Sequence, residues 1–246
     1  MRHIKVFEKF NEIDSICAEF GIKNYSVNPD GSVDVDRSVE LKYRKLTELP
    51  LKFGIVAGDF ICYNNKLINL EGAPREVGGD FNCSENKLTT LEGGPIRVGG
   101  EFICSNNQLT SLKGAPSRIE FNFECHSNEL ISLEGAPSYV GSYFDCNSNK
   151  LTTLIGSPIE VGGDFYCNDN NLISFEGYPS RMDGDFICYN NPIFQLFILF
   201  PDYKSFIDSM DYGYLRGTTI DKRRFREALE EVKRKVPKSI TGYKYI

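Results

Sequence analysis

Cysteine is the residue of this chain whose chemistry and spacing first suggest a function. Seven of the eight cysteines follow one another at intervals of 21 residues, at Cys62, Cys83, Cys104, Cys125, Cys146, Cys167 and Cys188. Structural zinc sites need close C-x-x-C pairs, which this spacing lacks. An odd number of cysteines that point the same way from parallel strands also argues against disulfides. The pattern therefore predicts small, buried core residues, and Cys17 is expected to pack in a helix.

Histidine is the other residue type that could support catalysis, and the chain has only His3 and His126. His126 follows Cys125 directly, and neighbouring positions on a strand face opposite sides. A nucleophilic Cys–His pair needs both side chains on one side. The sequence also lacks a phosphate-binding loop and a nucleophile elbow. It therefore predicts a non-enzymatic protein with no cofactor and no metal.

Other residue types repeat in register with the seven cysteines, so that each unit reads F-x-C-x-x-N-x-L-x-x-L. A phenylalanine lies two residues before each cysteine, an asparagine three after, and aliphatic or aromatic residues five and eight after. Glycine and proline follow, and an aliphatic residue or Met lies six residues before the next cysteine. A fixed period of this kind predicts a solenoid, in which each unit stacks on its neighbours.

The repeat resembles a leucine-rich repeat in which Phe and Cys occupy two positions usually held by leucine. The resemblance covers roughly residues 35–196. Phrases such as "GGDFNCSENKLTTLEGGP" are also similar to leucine-rich-repeat proteins encoded by tailed bacteriophages. The resemblance implies an α/β repeat solenoid, a curved horseshoe with a short-stranded parallel sheet. The phage similarity implies the cytoplasm of an infected bacterium and a factor that binds or inhibits a host defence protein.

The alternation of Phe, x and Cys predicts one short strand per unit, with Phe and Cys turned inward. The chain turns at the asparagine, whose amide has both donors and an acceptor for buried backbone groups. We expect these asparagines to form a ladder: Asn65, Asn86, Asn107, Asn128, Asn149, Asn170 and Asn191.

Both ends of the repeat carry segments expected to cap the core. Residues 1–34 are predicted to form an N-terminal cap, 35–196 one degenerate and seven regular units, and 197–246 a C-terminal helical cap. Apolar spacing predicts an N-terminal helix through Val6, Phe7, Phe10, Ile13, Cys17 and Phe20, stopped by Gly21 and followed by a hairpin in "YSVNPDGSVDVD". The degenerate unit contains Val39, Leu41, Leu46 and Leu49, with Arg44 in the asparagine position. A capped C-terminal helix is predicted with Phe225, Leu229, Val232 and Val236 on one face.

Charge is segregated along the chain. Residues 58–192 carry a net charge of −10 and residues 193–246 a net charge of +4. An acidic solenoid repels nucleic acid and favours a partner with a basic surface. The basic C-terminal helix is interpreted as a solvated outer face, with an anion or nucleic-acid contact as the alternative. The longest apolar run, residues 193–200, is too short to cross a membrane. Unpaired cysteines without an export signal indicate a cytoplasmic location.

Parity along the predicted strand places the residues three before, one before and one after each cysteine on the concave face. We expect this face to bind a protein, with isoleucines and tyrosines as anchors and acids that select a basic partner. The candidate residues are Asp59, Ile61, Tyr63, Asp80, Glu101, Ile103, Glu124, His126, Asp145, Asp164, Tyr166, Asp185, Ile187 and Tyr189. The alternative is a structural or self-associating component of a larger assembly.

Overall fold

A computed structural model describes residues 2–201, 203–210, 215–216, 219–240 and 243–246. Helices lie near the two ends of the chain: α1 (Arg2–Phe20), α2 (Phe194–Phe197), α3 (Tyr203–Met210) and α4 (Lys222–Glu231). The strands are β1 (Tyr25–Val27), β2 (Val33–Val35), β3 (Val39–Glu40), β4 (Phe53–Val56), β5 (Phe60–Ile61), β6 (Glu76–Val77), β7 (Phe81–Asn82), β8 (Arg97–Val98), β9 (Phe102–Ile103), β10 (Arg118–Ile119), β11 (Phe123–Glu124), β12 (Tyr139–Val140), β13 (Phe144–Asp145), β14 (Glu160–Val161), β15 (Phe165–Tyr166), β16 (Arg181–Met182), β17 (Phe186–Ile187), β18 (Leu215–Arg216), β19 (Thr219–Ile220) and β20 (Lys244–Tyr245).

The chain forms a parallel-strand β-solenoid, which confirms the predicted repeat architecture. Strands β3, β5, β7, β9, β11, β13, β15 and β17 form one eight-stranded sheet, called here the Phe sheet because seven of its strands begin with phenylalanine. Equivalent residues pair across turns, as Phe60 does with Phe81 and Phe81 with Phe102. Their rings also lie against each other, with centroids 5.8 Å apart for the first pair and 5.2 Å for the second.

Each of the seven regular turns contains a second short strand that the sequence did not predict. Together with the predicted hairpin β1-β2, these strands form two further sheets, called here the Val sheets: β1-β2-β4-β6-β8 and β10-β12-β14-β16. Most comprise only the aliphatic residue six before the cysteine and the residue preceding it, as in Glu76–Val77. A two-residue strand with one inward side chain is too short to show the alternation of apolar and polar residues that predicts a strand. The sequence therefore indicated a recurring aliphatic position in the repeats but no strand.

The core between the sheets is filled by the repeating apolar residues. All eight cysteines are free and buried, as predicted. Burial raises the pKa of the Cys62 thiol to about 12 and that of Cys188 to about 12, so the thiolate that would bind metal or attack a substrate is suppressed. The repeat cysteines therefore act as small apolar residues.

The segments at the two ends match the sequence in part. Helix α1 stops before Gly21, which has φ of +69°, and the predicted hairpin pairs β1 with β2. The side chains of Val6, Phe7 and Phe10 lie outside the described residues. The C-terminal helix begins at the N-cap Asp221 but ends at Glu231, so the predicted apolar face was too long. The three-stranded sheet β18-β19-β20 was not predicted. Residues 21–193, all described, contain no helix.

The two Val sheets are separated by a seam that coincides with an exception in the sequence. Most turns have one or two glycines after the aliphatic residue, because the turns approach closely there: a Cβ on Gly99 would lie 2.2 Å from the carbonyl oxygen of Gly78. Only the Cys125 turn has large side chains at both positions, Glu120 and Phe121. Phe121 is 52% exposed.

Backbone bonding is lost on one side of the solenoid at this seam. Gly99 donates to the carbonyl of Val77 and Gly141 to that of Ile119, both at 2.9 Å. Residues 96–100 and 117–121, all described, share no backbone hydrogen bond. The same two turns stay joined through the Phe sheet, where β9 pairs with β11. The two large side chains thus account for the seam, which opens only on the Val side.

Amide hydrogen exchange tests the seam. We expect the N–H groups of Glu120 and Phe121 to exchange faster than those of Gly99, Gly100, Gly141 and Ser142, because only the latter donate to a neighbouring turn. The other four amides are matched internal controls. Exchange at equal rates in all six, measured by NMR, contradicts an open seam.

Candidate functional site

The candidate surface is the outer face of the Phe sheet, made of the residues three before, one before and one after each repeat cysteine. The residues one before the cysteine are half-buried in every turn, including Ile61, Ile103, Asp145 and Ile187. Among those one after it, Ser84, Ser105 and Asn168 are buried, whereas Tyr189 is 47% exposed. The surface is therefore less open than the sequence suggested, since short strands let adjacent side chains shield each other.

The predicted asparagines lie at the edge of this face and are bonded alike in all seven turns. Asn107 accepts the N–H of Leu88 through Oδ1 at 2.9 Å and donates through Nδ2 to the carbonyls of Cys83 and Cys104, both at 3.1 Å. At the first turn Asn65 accepts the N–H of Arg44. Arg44 itself, at the end of the column, lies over the Phe20 ring of α1 at 5.5 Å.

Replacing Asn107 tests the contribution of this ladder to stability. Asn107→Ala leaves the buried N–H of Leu88 without a partner and removes one of the two asparagine donors from the carbonyls of Cys83 and Cys104, so we expect a loss of about 1–3 kcal/mol in the free energy of unfolding. Gln108→Ala, at an exposed neighbouring position, is the control. Equal denaturation midpoints for both variants contradict this role.

The residues three before the cysteine form a second ladder, which the sequence did not predict. Asp59 accepts the N–H of Asp80, Asp80 that of Glu101, and Asp164 that of Asp185, at 2.8–2.9 Å. A Cβ on Gly100 would lie 2.1 Å from Oδ1 of Asp80. The G-G-D phrase is thus explained in part by structure: the glycine leaves room for the carboxylate of the preceding turn.

Two carboxylates near the centre of the outer face accept hydrogen bonds from neighbouring side chains. Glu101 accepts a bond from Nδ2 of Asn122 at 2.6 Å, and Glu124 accepts one from the Tyr143 hydroxyl. Burial, followed by repulsion from Asp80 and Glu124, raises the pKa of Glu101. Burial first and the bond to Glu124 second raise the pKa of the Tyr143 hydroxyl.

Two further acids continue this surface. Burial is the main cause that raises the pKa of Asp145, which accepts the N–H of Asn147 at 2.9 Å. Asp164 accepts a bond from the Tyr166 hydroxyl at 2.9 Å, which raises the pKa of that phenol. Glu101 and Asp145 are thus carboxylates whose ionisation the fold disfavours.

Glu101→Gln tests whether burial and, second, repulsion from neighbouring acids disfavour the ionised Glu101 carboxylate, through the pH dependence of stability. Because the Glu101 pKa is higher in the folded chain than in the unfolded one, the ionised carboxylate opposes folding at neutral pH. Glutamine keeps an acceptor for Asn122, so we expect the variant to be more stable than wild type at pH 7. The gain should shrink as the pH falls through the folded pKa. A destabilised variant at pH 7 in urea titrations, or a gain that grows on acidification, contradicts this assignment.

The charge of the outer face is uncompensated. From five residues before to three after each repeat cysteine, the sequence contains no lysine or arginine in any of the seven turns. On the Val sheets, by contrast, arginines pair with acids: Arg97 with Glu76, and Arg181 with Glu160 at 3.0 Å. The absence of lysine and arginine from this nine-residue stretch can be read from the sequence, and it makes one side of the solenoid acidic.

Cys125 and His126, directly after strand β11, lie on opposite sides of the chain. Cys125 is buried, whereas His126 lies outside it, 3.1 Å from the Ser127 hydroxyl and 3.8 Å from Glu124. No group of three His, Cys, Asp or Glu side chains in the described part of the chain is arranged to hold a metal ion. Among the described helices, none has the length and apolarity needed to cross a membrane. Comparisons with protein-family models, curated proteins and solved structures found no match to this chain.

Proposed function

We propose that this chain is a non-enzymatic protein-binding module, and that the outer face of the Phe sheet contacts a partner with a basic surface. The observation that carries the proposal is a continuous sheet face whose seven regular turns carry a carboxylate each and no lysine or arginine; Lys42, in the degenerate first turn, pairs with Glu40. Such a field steers a basic partner and fixes its register.

Apolar side chains on the same face supply anchors. Ile61, Ile103 and Ile187 are half-buried in the middle column, between the acidic positions. Interfaces combine apolar or aromatic anchors with a polar surround. A basic partner with a few apolar side chains fits this surface better than a uniformly cationic polymer such as polylysine.

The proposal also covers the shape of the solenoid and the role of its two ends. The repeat resembles a leucine-rich repeat, in which the binding face is the concave side of a horseshoe with capped ends. Cys17 of α1 is 1% exposed, and Phe206 of α3 lies 5.5 Å from the Phe175 ring, centroid to centroid. These contacts support α1 and the C-terminal helices as caps of the two ends.

The proposal includes a biological setting, which rests on the amino-acid sequences of the repeats. Their similarity to phage-encoded leucine-rich-repeat proteins supports a factor that acts in the cytoplasm of an infected bacterium, against a host defence protein. The free buried cysteines are in keeping with a reducing compartment.

Partner capture from bacterial lysate tests the proposal with two matched variants. The face variant neutralises acids of the outer face while keeping hydrogen-bond acceptors: Glu101→Gln, Glu124→Gln, Asp145→Asn and Asp185→Asn. The control variant removes the same charge from exposed positions nine residues after the cysteine: Glu71→Gln, Glu92→Gln, Glu134→Gln and Glu176→Gln.

We expect a basic protein to be captured by wild type and by the control variant, and to be lost from the face variant. Circular dichroism and melting establish that all three are folded. Equal capture by all three proteins, or none by wild type, contradicts the proposal.

A further inference from the structure

The C-terminal region displays a short basic segment, residues 233–238. It contains Lys233, Arg234, Lys235 and Lys238, and all four side chains are exposed. It follows α4 directly: Lys233 has φ of +55°, and the N–H of Arg234 reaches back to the carbonyl of Leu229 at 2.9 Å. This is a helix-ending turn that directs the chain away from the helix axis.

The basic segment is held in place by its apolar residues. Val236 packs against the core, and the Tyr245 hydroxyl donates to the carbonyl of Pro237 at 2.9 Å. The backbone is therefore fixed while the charged side chains face solvent. An ordered segment loses less conformational entropy on binding than a disordered tail.

Lys222, Arg223 and Arg224 of α4 have partners in the chain, whereas the bases of the basic segment form no ion pair with the described residues. Arg223 pairs with Glu227 at 2.8 Å, and Lys222 lies over the Tyr245 ring at 5.3 Å. Within the described part of the chain, Lys233, Arg234, Lys235 and Lys238 form no ion pair. No acidic residue follows Glu231 in the sequence.

The outer face of the Phe sheet has the opposite imbalance. Its last acid, Asp185, is exposed and terminates the aspartate ladder: it donates its N–H to Asp164, but its own carboxylate accepts no hydrogen bond from the described residues. One chain thus carries a basic segment that forms no ion pair with the described residues and an acidic face whose seven regular turns contain no lysine or arginine.

We propose that the basic segment of one copy binds the acidic outer face of a second copy. The inference uses the same face as the proposed function and names one occupant for it. Charge complementarity argues for the second copy, because every chain supplies both surfaces at equal concentration. The contact is heterologous: each pairing leaves one free face and one free basic segment, so that association continues into larger species or closes into a ring.

Salt and concentration are the first variables to measure. Light scattering coupled to size exclusion should show wild type growing in mass with concentration at about 50 mM NaCl. At about 500 mM the association constant should fall by tenfold or more, because screening shortens the range of these contacts. A monomer at every concentration in low salt overturns the inference, as does a mass unaffected by salt.

Two defective variants test the geometry of the contact. The segment variant carries Lys233→Glu, Arg234→Glu, Lys235→Glu and Lys238→Glu, all at exposed positions, and the face variant is the one defined above. Each alone should be monomeric at low salt. Mixed in equal amounts they should form a discrete dimer, because each retains one of the two complementary surfaces. The control variant should associate like wild type.

Mixing the segment variant with the face variant tests whether these two surfaces form the contact. If the two variants fail to combine while wild type associates, another surface mediates the assembly and the inference is wrong. Association of either variant alone would also show that another surface mediates the assembly. The proposed function is read out separately: face-dependent capture of a foreign basic protein by a monomeric wild type supports that function while overturning self-association.

Discussion

Backbone hydrogen bonds between successive turns determine the repeat length and the stacking of side chains in the solenoid. The N–H of Phe81 reaches the carbonyl of Glu101 in the next turn, and that of Cys83 reaches Ile103, both at 2.9 Å. A one-residue insertion would move these groups out of register and turn phenylalanine toward solvent, because side chains alternate along a strand. The constant 21-residue period is the consequence, and the stacking of Phe, Cys and Leu in the core follows from it.

Where the strands end, side chains supply hydrogen-bond partners for backbone N–H and carbonyl groups. This requirement restricts which residue types can occupy these positions. The asparagine amide supplies a donor and an acceptor at one point, which no aliphatic or acidic side chain can do. The residue before it adopts a left-handed conformation, with φ of +53° at Glu85 and +56° at Asn106. The amide bonds to the surrounding carbonyls help to hold this conformation at residues other than glycine.

Features that repeat along the whole chain could be predicted from the sequence, and features set by contacts between turns could not. The columns of Phe, Cys, Leu and Asn indicated the inward positions because each needs one residue type. The two-residue Val strands carry too little pattern to be seen. The seam arises at Glu120 and Phe121 because other turns approach each other closely at the equivalent glycines, as Gly99 does Gly78, and that distance cannot be read from the sequence. Likewise Asp80 read as a surface acid, although one of its oxygens accepts a backbone N–H of the next turn.

The acidity of the outer face exceeds what hydrogen bonding requires. Asn122 occupies the aspartate-ladder position and accepts the N–H of Tyr143 at 3.4 Å, and Asn82 accepts the N–H of Ser84 at 3.0 Å as Asp145 does that of Asn147. Neutral amides can therefore fill both kinds of position. Carboxylates are present instead, and burial and mutual repulsion raise the pKa of Glu101 at their centre. A charge that folding does not need and that opposes folding supports the proposal of a cationic partner, because binding of such a partner would remove the repulsion.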